Sequence, residues 1–291
     1  MRKDRLDAFG FTAMLAVTFL LASGQVLVKL TVVGIQPVFL AGLRSLLSIF
    51  FLLAWMAWMG RMPRNLRQDF WPGLLIGLAF SAEFLGLFVA LDRTSVGHAA
   101  ILFYSMPVWF AIAAHFFLGE RLTFTRSAGL LLAFLGAASL ILVRSGAGEE
   151  TSLLGDFCAL VGAWGWAATA FMTRATRVKD SGQEMPLFWM LVISAPVLIL
   201  ASFGFGPLLR EIQPIHWGLL LFQASVISTG GFIAWIWLFQ TYPSSTVASF
   251  SFLSPVIAVL LGVMIFQEPL TISLAVASVL VAVGIILLNR R

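Results

Sequence analysis

Ten apolar runs follow one another with only short polar links: 8–30, 36–59, 70–91, 97–119, 124–143, 152–175, 185–205, 216–240, 244–267 and 270–289. A helix needs about 20 apolar residues to cross the hydrocarbon of a bilayer. These runs meet that length, and they are too long and too little alternating for the strands of a membrane β-barrel. No link is long enough to hold a soluble domain. The pattern predicts an all-α membrane protein with ten transmembrane helices.

The chain also repeats. From Ala100 onward it matches itself 148 positions later without a gap: Ala100 falls on Ala248, Pro107 on Pro255, Glu120 on Glu268, Leu122 on Leu270, Thr123 on Thr271 and Gly136 on Gly284. Each copy holds an apolar segment with a central proline, a short Glu-x-Leu-Thr link and a second apolar segment. Repetition on this scale defines architecture. It divides the chain into residues 1–147 and 148–291, with five predicted helices each. Five is odd, so the second half enters the membrane upside down. Two such inverted repeats around a central cavity are the layout of an alternating-access transporter.

Charge supports that layout. Hydrophobic residues make up 60% of the chain and charged ones 11%, with mean hydropathy +0.99, so the solvent for this surface is lipid. With the N-terminus in the cytoplasm, thirteen Lys and Arg residues fall on inner links, and four (Lys29, Arg93, Arg144 and Arg210) fall outside. That asymmetry places both termini inside. The net charge of +5 therefore serves membrane orientation and does not point to nucleic acid. Arg2, Lys3 and Arg5 before an apolar run imitate a signal peptide, but that run is long enough to span and is needed to pair the halves. Cys158 is the only cysteine, which excludes an internal disulfide and a cysteine-cluster metal site. The chain has no phosphate-binding G-x-x-x-x-G-K-[ST] loop, no H-E-x-x-H and no paired intramembrane carboxylates. No enzyme activity, metal or cofactor is expected. An intramembrane lipid-modifying enzyme is the alternative from another class, and a channel lacks the filter or charged ring it would need.

The segment Thr94-Ser95-Val96-Gly97-His98-Ala99-Ala100-Ile101-Leu102, then Pro107, then Phe117-Leu118-Gly119-Glu120-Arg121-Leu122-Thr123, with Gly129 and Gly136, resembles the EamA-type repeat. That repeat defines ten-helix members of the drug/metabolite transporter superfamily. The second copy runs through Ser245-Thr246-Val247-Ala248, Pro255, Phe266-Gln267-Glu268-Pro269-Leu270-Thr271 and Gly284. Two positions depart from the pattern: His98 stands where a small residue is usual, and Gly129 is answered by Ala277. The resemblance implies a bacterial inner-membrane exporter of amino acids or similar small metabolites, with the branch for aromatic and other neutral amino acids favoured. Other metabolites or drugs are the alternative cargo.

Within that frame a few polar residues stand out. Glu83 is the carboxylate deepest in a predicted span; burial of a charge there costs about 2.5–3.5 kcal/mol, so it should face protein or water. It either binds a substrate ammonium or carries a proton, or it forms a structural ion pair with Arg44, about 12 Å from the same membrane face. Gln25 and Gln223 offer neutral donors and acceptors for a zwitterion, or they join helices. Small polar residues flank both: Ser23-Gly24, and Ser228-Thr229-Gly230-Gly231, which permit close packing or a locally opened backbone. Tyr104 and Trp164 suit a cavity wall with a polar tip. His98, near the outer mouth, snorkels or caps a helix end, or is a further contact for substrate or proton. Pro107 and Pro255 remove backbone donors in mid-span and are candidate gate kinks, or sources of static curvature. The expected partners are a small-molecule substrate, the lipid bilayer and protons as a candidate coupling ion.

Overall fold

The computed structural model describes residues 7–117, 123–142, 152–182, 184–242, 253–268 and 271–289. Glu120, Leu122, Ala248 and Leu270 of the repeated motif lie outside the described residues. Helices begin where the sequence supplies a cap. The Asp7 carboxylate accepts from Gly10 N at 2.8 Å and opens α1 (Ala8–Thr31). Gln36 caps α2 (Pro37–Trp58) through Phe39 N at 2.7 Å. The long α3 (Leu66–Arg93) starts four residues before the predicted span and carries Pro72 near its start.

The fourth apolar run is two helices. Ser95 caps α4 (Val96–Phe103), the chain turns at Tyr104 and Ser105, and α5 (Met106–Phe117) resumes. Pro107 is the second residue of α5, where a helix needs no N–H from it. The Ser105 hydroxyl donates to Leu102 O at 2.6 Å and satisfies a carbonyl at the break. Then come α6 (Phe124–Leu142), α7 (Leu153–Ala175), a 3₁₀ turn over Arg177–Asp180 and α8 (Met185–Ser202). The eighth run is α9 (Pro214–Phe222), a π-helical segment (Gln223–Gly231) and α10 (Phe232–Thr241). The chain ends with α11 (Leu253–Phe266) and α12 (Ile272–Asn289). Pro255 is the third residue of α11.

Seven described helices are long and apolar enough to cross a membrane, and three shorter apolar helices accompany them. Among the described residues, the only strand-like pairing is the bridge between Ile35 and Leu209. The protein is thus an all-helical, multi-pass membrane protein. Its helices pack in a definite order. α3 lies along α7, α2 against α8, and α6 against α12; α1 packs on α11, while α4 packs on both α7 and α11.

Candidate functional site

The polar residues of the eighth run do open the backbone. In a π-helix each N–H reaches back five residues, a rare arrangement often found at functional sites. Residues 223 and 228 therefore stack one turn apart on one face of Gln223–Gly231. Gln223 is fully buried; its Nε2 donates to Thr31 Oγ1 of α1 at 2.9 Å, while its Oε1 accepts from no donor among the described residues. One turn on, Ser228 accepts from Arg44 Nε of α2 at 2.6 Å. Thr229 closes the segment by donating to Ala224 O at 2.9 Å, and Ser48 of α2 donates to the same carbonyl at 3.2 Å. Gln25 of α1 is likewise buried with an unpartnered Oε1. Two glutamine oxygens, sealed and without donors, thus belong to elements that touch: α1 packs on the π segment and on α3.

Glu83 enters from α3, set by a seam of glycines. A Cβ on Gly165 of α7 would stand 2.6 Å from Glu83 Cα, and one on Gly86 of α3 would stand 2.6 Å from Cys158 O. Only glycine lets α3 and α7 come this close. One turn beyond Gly165, the Thr169 hydroxyl donates back to Gly165 O at 2.9 Å. Arg44 and Glu83 form no direct ion pair. They are coupled through space, while the guanidinium lies against the rings of Phe84 at 4.5 Å and Phe88 at 5.3 Å.

The aromatic wall differs from the expected one. Tyr104 sits at the α4–α5 break, edge-on to Trp166 at 5.7 Å. Phe103 stacks on the same Trp166 at 4.9 Å. Trp164 lies elsewhere: it is 40% exposed and packs on Trp109 and Phe157. Two residues along a helix turn the side chain by about 200°, so Trp164 and Trp166 face opposite ways. Trp166, not Trp164, is the tryptophan that meets Tyr104, and an apolar run offers no phase by which to tell the two apart.

A second polar knot surrounds the start of α4, the very segment of the Thr94–His98 motif. The Glu268 carboxylate accepts from Val96 N at 2.7 Å and Gly97 N at 3.1 Å, capping the helix. Gln267 at φ +54° turns the chain left-handed, and Glu268 folds back over Gly262, where a Cβ would stand 2.5 Å from its Oε2. Lys29 of α1 completes the cap, 3.4 Å from Glu268 and 3.0 Å from Thr94 O. Asp156 of α7 accepts from Thr94 Oγ1 at 3.0 Å and lies 3.3 Å from His98 Nδ1. His98 is buried here. Asp156 was missed in the sequence because a first-turn acid reads as ordinary helix capping. The structure thus ties Gln223 to α1 and Arg44 of α2 to Ser228 of the same π segment, sets Tyr104 against Trp166 at the break, places His98 in the separate knot, and leaves Trp164 apart.

The model of the EamA-like transporter family matches this chain twice, over residues 8–142 and 153–290. The Bacillus subtilis (strain 168) uncharacterized transporter YvbV is 26% identical over 88% of this chain and 83% of its own length. Probable amino-acid metabolite efflux pumps of Escherichia coli (strain K12) and Salmonella typhimurium (strain LT2) are 25% and 27% identical, over 89% and 98% of this chain and 88% and 94% of theirs. A crystal structure sharing 21% identity superposes with a TM-score of 0.62 over 94% of each chain. The chain belongs to the EamA-like transporter family.

Proposed function

We propose that this member of the family exports amino acids, with aromatic and other neutral ones favoured, from the cytoplasm of a bacterium across its inner membrane by alternating access. It acts as a carrier and not as an enzyme. Ten spans form two inverted halves, 1–147 and 148–291, with both termini cytoplasmic. The observation that carries the reading is the pair of sealed, donor-less oxygens on Gln25 and Gln223. A buried acceptor left without a donor is costly. A substrate ammonium brings three donors, and Glu83 on the adjoining α3 supplies a balancing charge or a proton site. Tyr104 and Trp166 give an apolar side chain a surface to lie against. The names of the Escherichia coli and Salmonella relatives point the same way.

Matched contacts between the halves support the inverted arrangement. Thr94 donates to Asp156 at 3.0 Å, and Tyr242 donates to Asp7 at 2.8 Å. Tyr242 stands 148 positions after Thr94, and Asp156 stands 149 after Asp7. Each pair ties the start of one half's first helix to the last residues before the other half's fourth run. In inverted halves these ties fall on opposite faces of the membrane. The halves then rock about Pro107 and Pro255, and the Glu268 cap parts when the outer face opens. The test is uptake of labelled phenylalanine, threonine and methionine into liposomes holding the purified protein, with and without a pH gradient. Saturable uptake of at least one is expected. Folded protein that moves none of them refutes the amino-acid assignment and turns the search to other metabolites and drugs.

A further inference from the structure

A guanidinium presents five N–H donors in a planar fork and is always charged. Arg44 uses one of them among the described residues, Nε to Ser228 Oγ at 2.6 Å. Its central carbon lies over the rings of Phe84 and Phe88, at 4.5 and 5.3 Å from their centroids. Among the described residues its two Nη groups meet no acceptor, and the residue keeps 6% of its surface exposed. The outer edge of the fork is therefore unpartnered among the described residues, inside a membrane protein and beside two aromatic rings. Glu83 does not fill it: the hydrogen bond that Arg44 makes among the described residues goes to Ser228, and Glu83 forms no ion pair with it. A planar, open, bidentate edge matches one common partner best, a carboxylate.

We propose that Arg44 is the carboxylate anchor of the transport site. The substrate carboxylate accepts from Nη1 and Nη2 together, which leaves the ammonium for Gln25, Gln223 and Glu83. The inference rests on the carrier reading above and narrows its substrate class. Cargo must carry a free carboxylate; plain amines, carboxamides and permanently cationic drugs lack the group that the fork holds. It also gives Ser228 a function: by fixing Nε, it turns the remaining edge toward the ligand.

Equilibrium binding of four ligands to the purified, detergent-solubilised protein tests this, read by intrinsic tryptophan fluorescence. The ligands are phenylalanine, phenylalaninamide, phenethylamine and 3-phenylpropionate. In the unaltered protein, the two carboxylates are expected to bind about 10- to 100-fold more tightly than their neutral-ended counterparts, the range of a charge-assisted bond. Arg44→Gln should bring phenylalanine down to the level of its amide while leaving the amide unchanged. Arg44→Lys, which keeps the charge but loses the fork, should fall between. Equal affinity for phenylalanine and its amide in the unaltered protein overturns the proposal, as does binding of none of the four. Recovery of phenylalanine binding in an Arg44→Gln/Glu83→Gln double variant also overturns it, because Arg44 would then serve only to balance Glu83. The ladder on the unaltered protein decides the matter even if a variant fails to fold. Because binding is read without flux, carboxylate selectivity with no transport would remove the carrier reading and leave the anchor; equal transport of phenylalanine and phenethylamine would do the reverse.

Discussion

Replacing Glu268 with glutamine tests the cap that joins the end of α11 to the start of α4. The carboxylate takes two backbone N–H bonds, from Val96 at 2.7 Å and Gly97 at 3.1 Å, and lies 3.4 Å from Lys29. Glutamine keeps one oxygen and so one N–H bond. It loses a second charge-assisted bond and the ion pair. A hydrogen bond to a charged group contributes about 1.5–3 kcal/mol, and a partly exposed ion pair adds up to about 1 kcal/mol. A loss of about 2 kcal/mol shifts a two-state equilibrium roughly 30-fold. If the cap exists only while the outer face is closed, that shift favours the outward-open state. Cys158 is the only cysteine, so a Cys158→Ala background accepts a single reporter. Ala99, fully buried in α4, becomes Ala99→Cys, and a membrane-impermeant maleimide is added from outside. Labelling should rise at least about tenfold in Glu268→Gln, and less in Lys29→Gln, which loses the ion pair and the bond to Thr94 O but keeps both backbone N–H bonds to the carboxylate. A rate unchanged within twofold, in folded protein, would show that Glu268 merely caps α4 and gates nothing.

Other consequences are as direct. Gly165→Ala puts a methyl 2.6 Å from Glu83 Cα; α3 and α7 must part by about 1 Å to restore ordinary contact. Overpacking of that kind costs about 1–3 kcal/mol, so the melting temperature should fall and transport with it, and an unchanged melt would deny the seam its role. Trp166→Ala should weaken binding of aromatic substrates about tenfold, the range of an aromatic pair, while Trp164→Ala leaves it intact; the opposite order in a binding assay would restore Trp164 to the site. Pro107→Ala should rejoin α4 and α5 and slow exchange without changing substrate affinity, and turnover equal to that of the unaltered protein would dismiss the break as a hinge.

Much of the fold can be read from the chain because lipid imposes length. The helices α1, α2, α7 and α8 end within a few residues of the apolar runs, and the repeat isolates Pro107 and Glu268, the residues at the break and at the cap. Phase cannot be read the same way. A membrane helix is apolar on nearly every face, so periodicity does not say whether Trp164 or Trp166 turns inward. The small polar run after Gln223 signals an opened backbone, yet a π segment depends on partners, Ser48 and Thr31, that lie far away in sequence. Arg44 and Glu83 are conspicuous as buried charges. Their separation, with Arg44 held by Ser228 and Glu83 set against Gly165, depends on the glycine seam of α3 with α7 and on the packing of α2 against Gln223–Gly231. Asp156 remains hidden because its partners, Thr94 and His98, sit in the other half.

The central claim is that one amino-acid site is exposed alternately to the two sides. Counterflow tests it most directly. Liposomes holding the protein are preloaded with unlabelled phenylalanine and diluted into a trace of labelled phenylalanine with no ion gradient. A carrier that alternates predicts a transient accumulation of label above its equilibrium level, decaying as the inner pool is lost. A simple monotonic approach to equilibrium would indicate a pore, and no entry of label into liposomes of folded protein would contradict the account at its base.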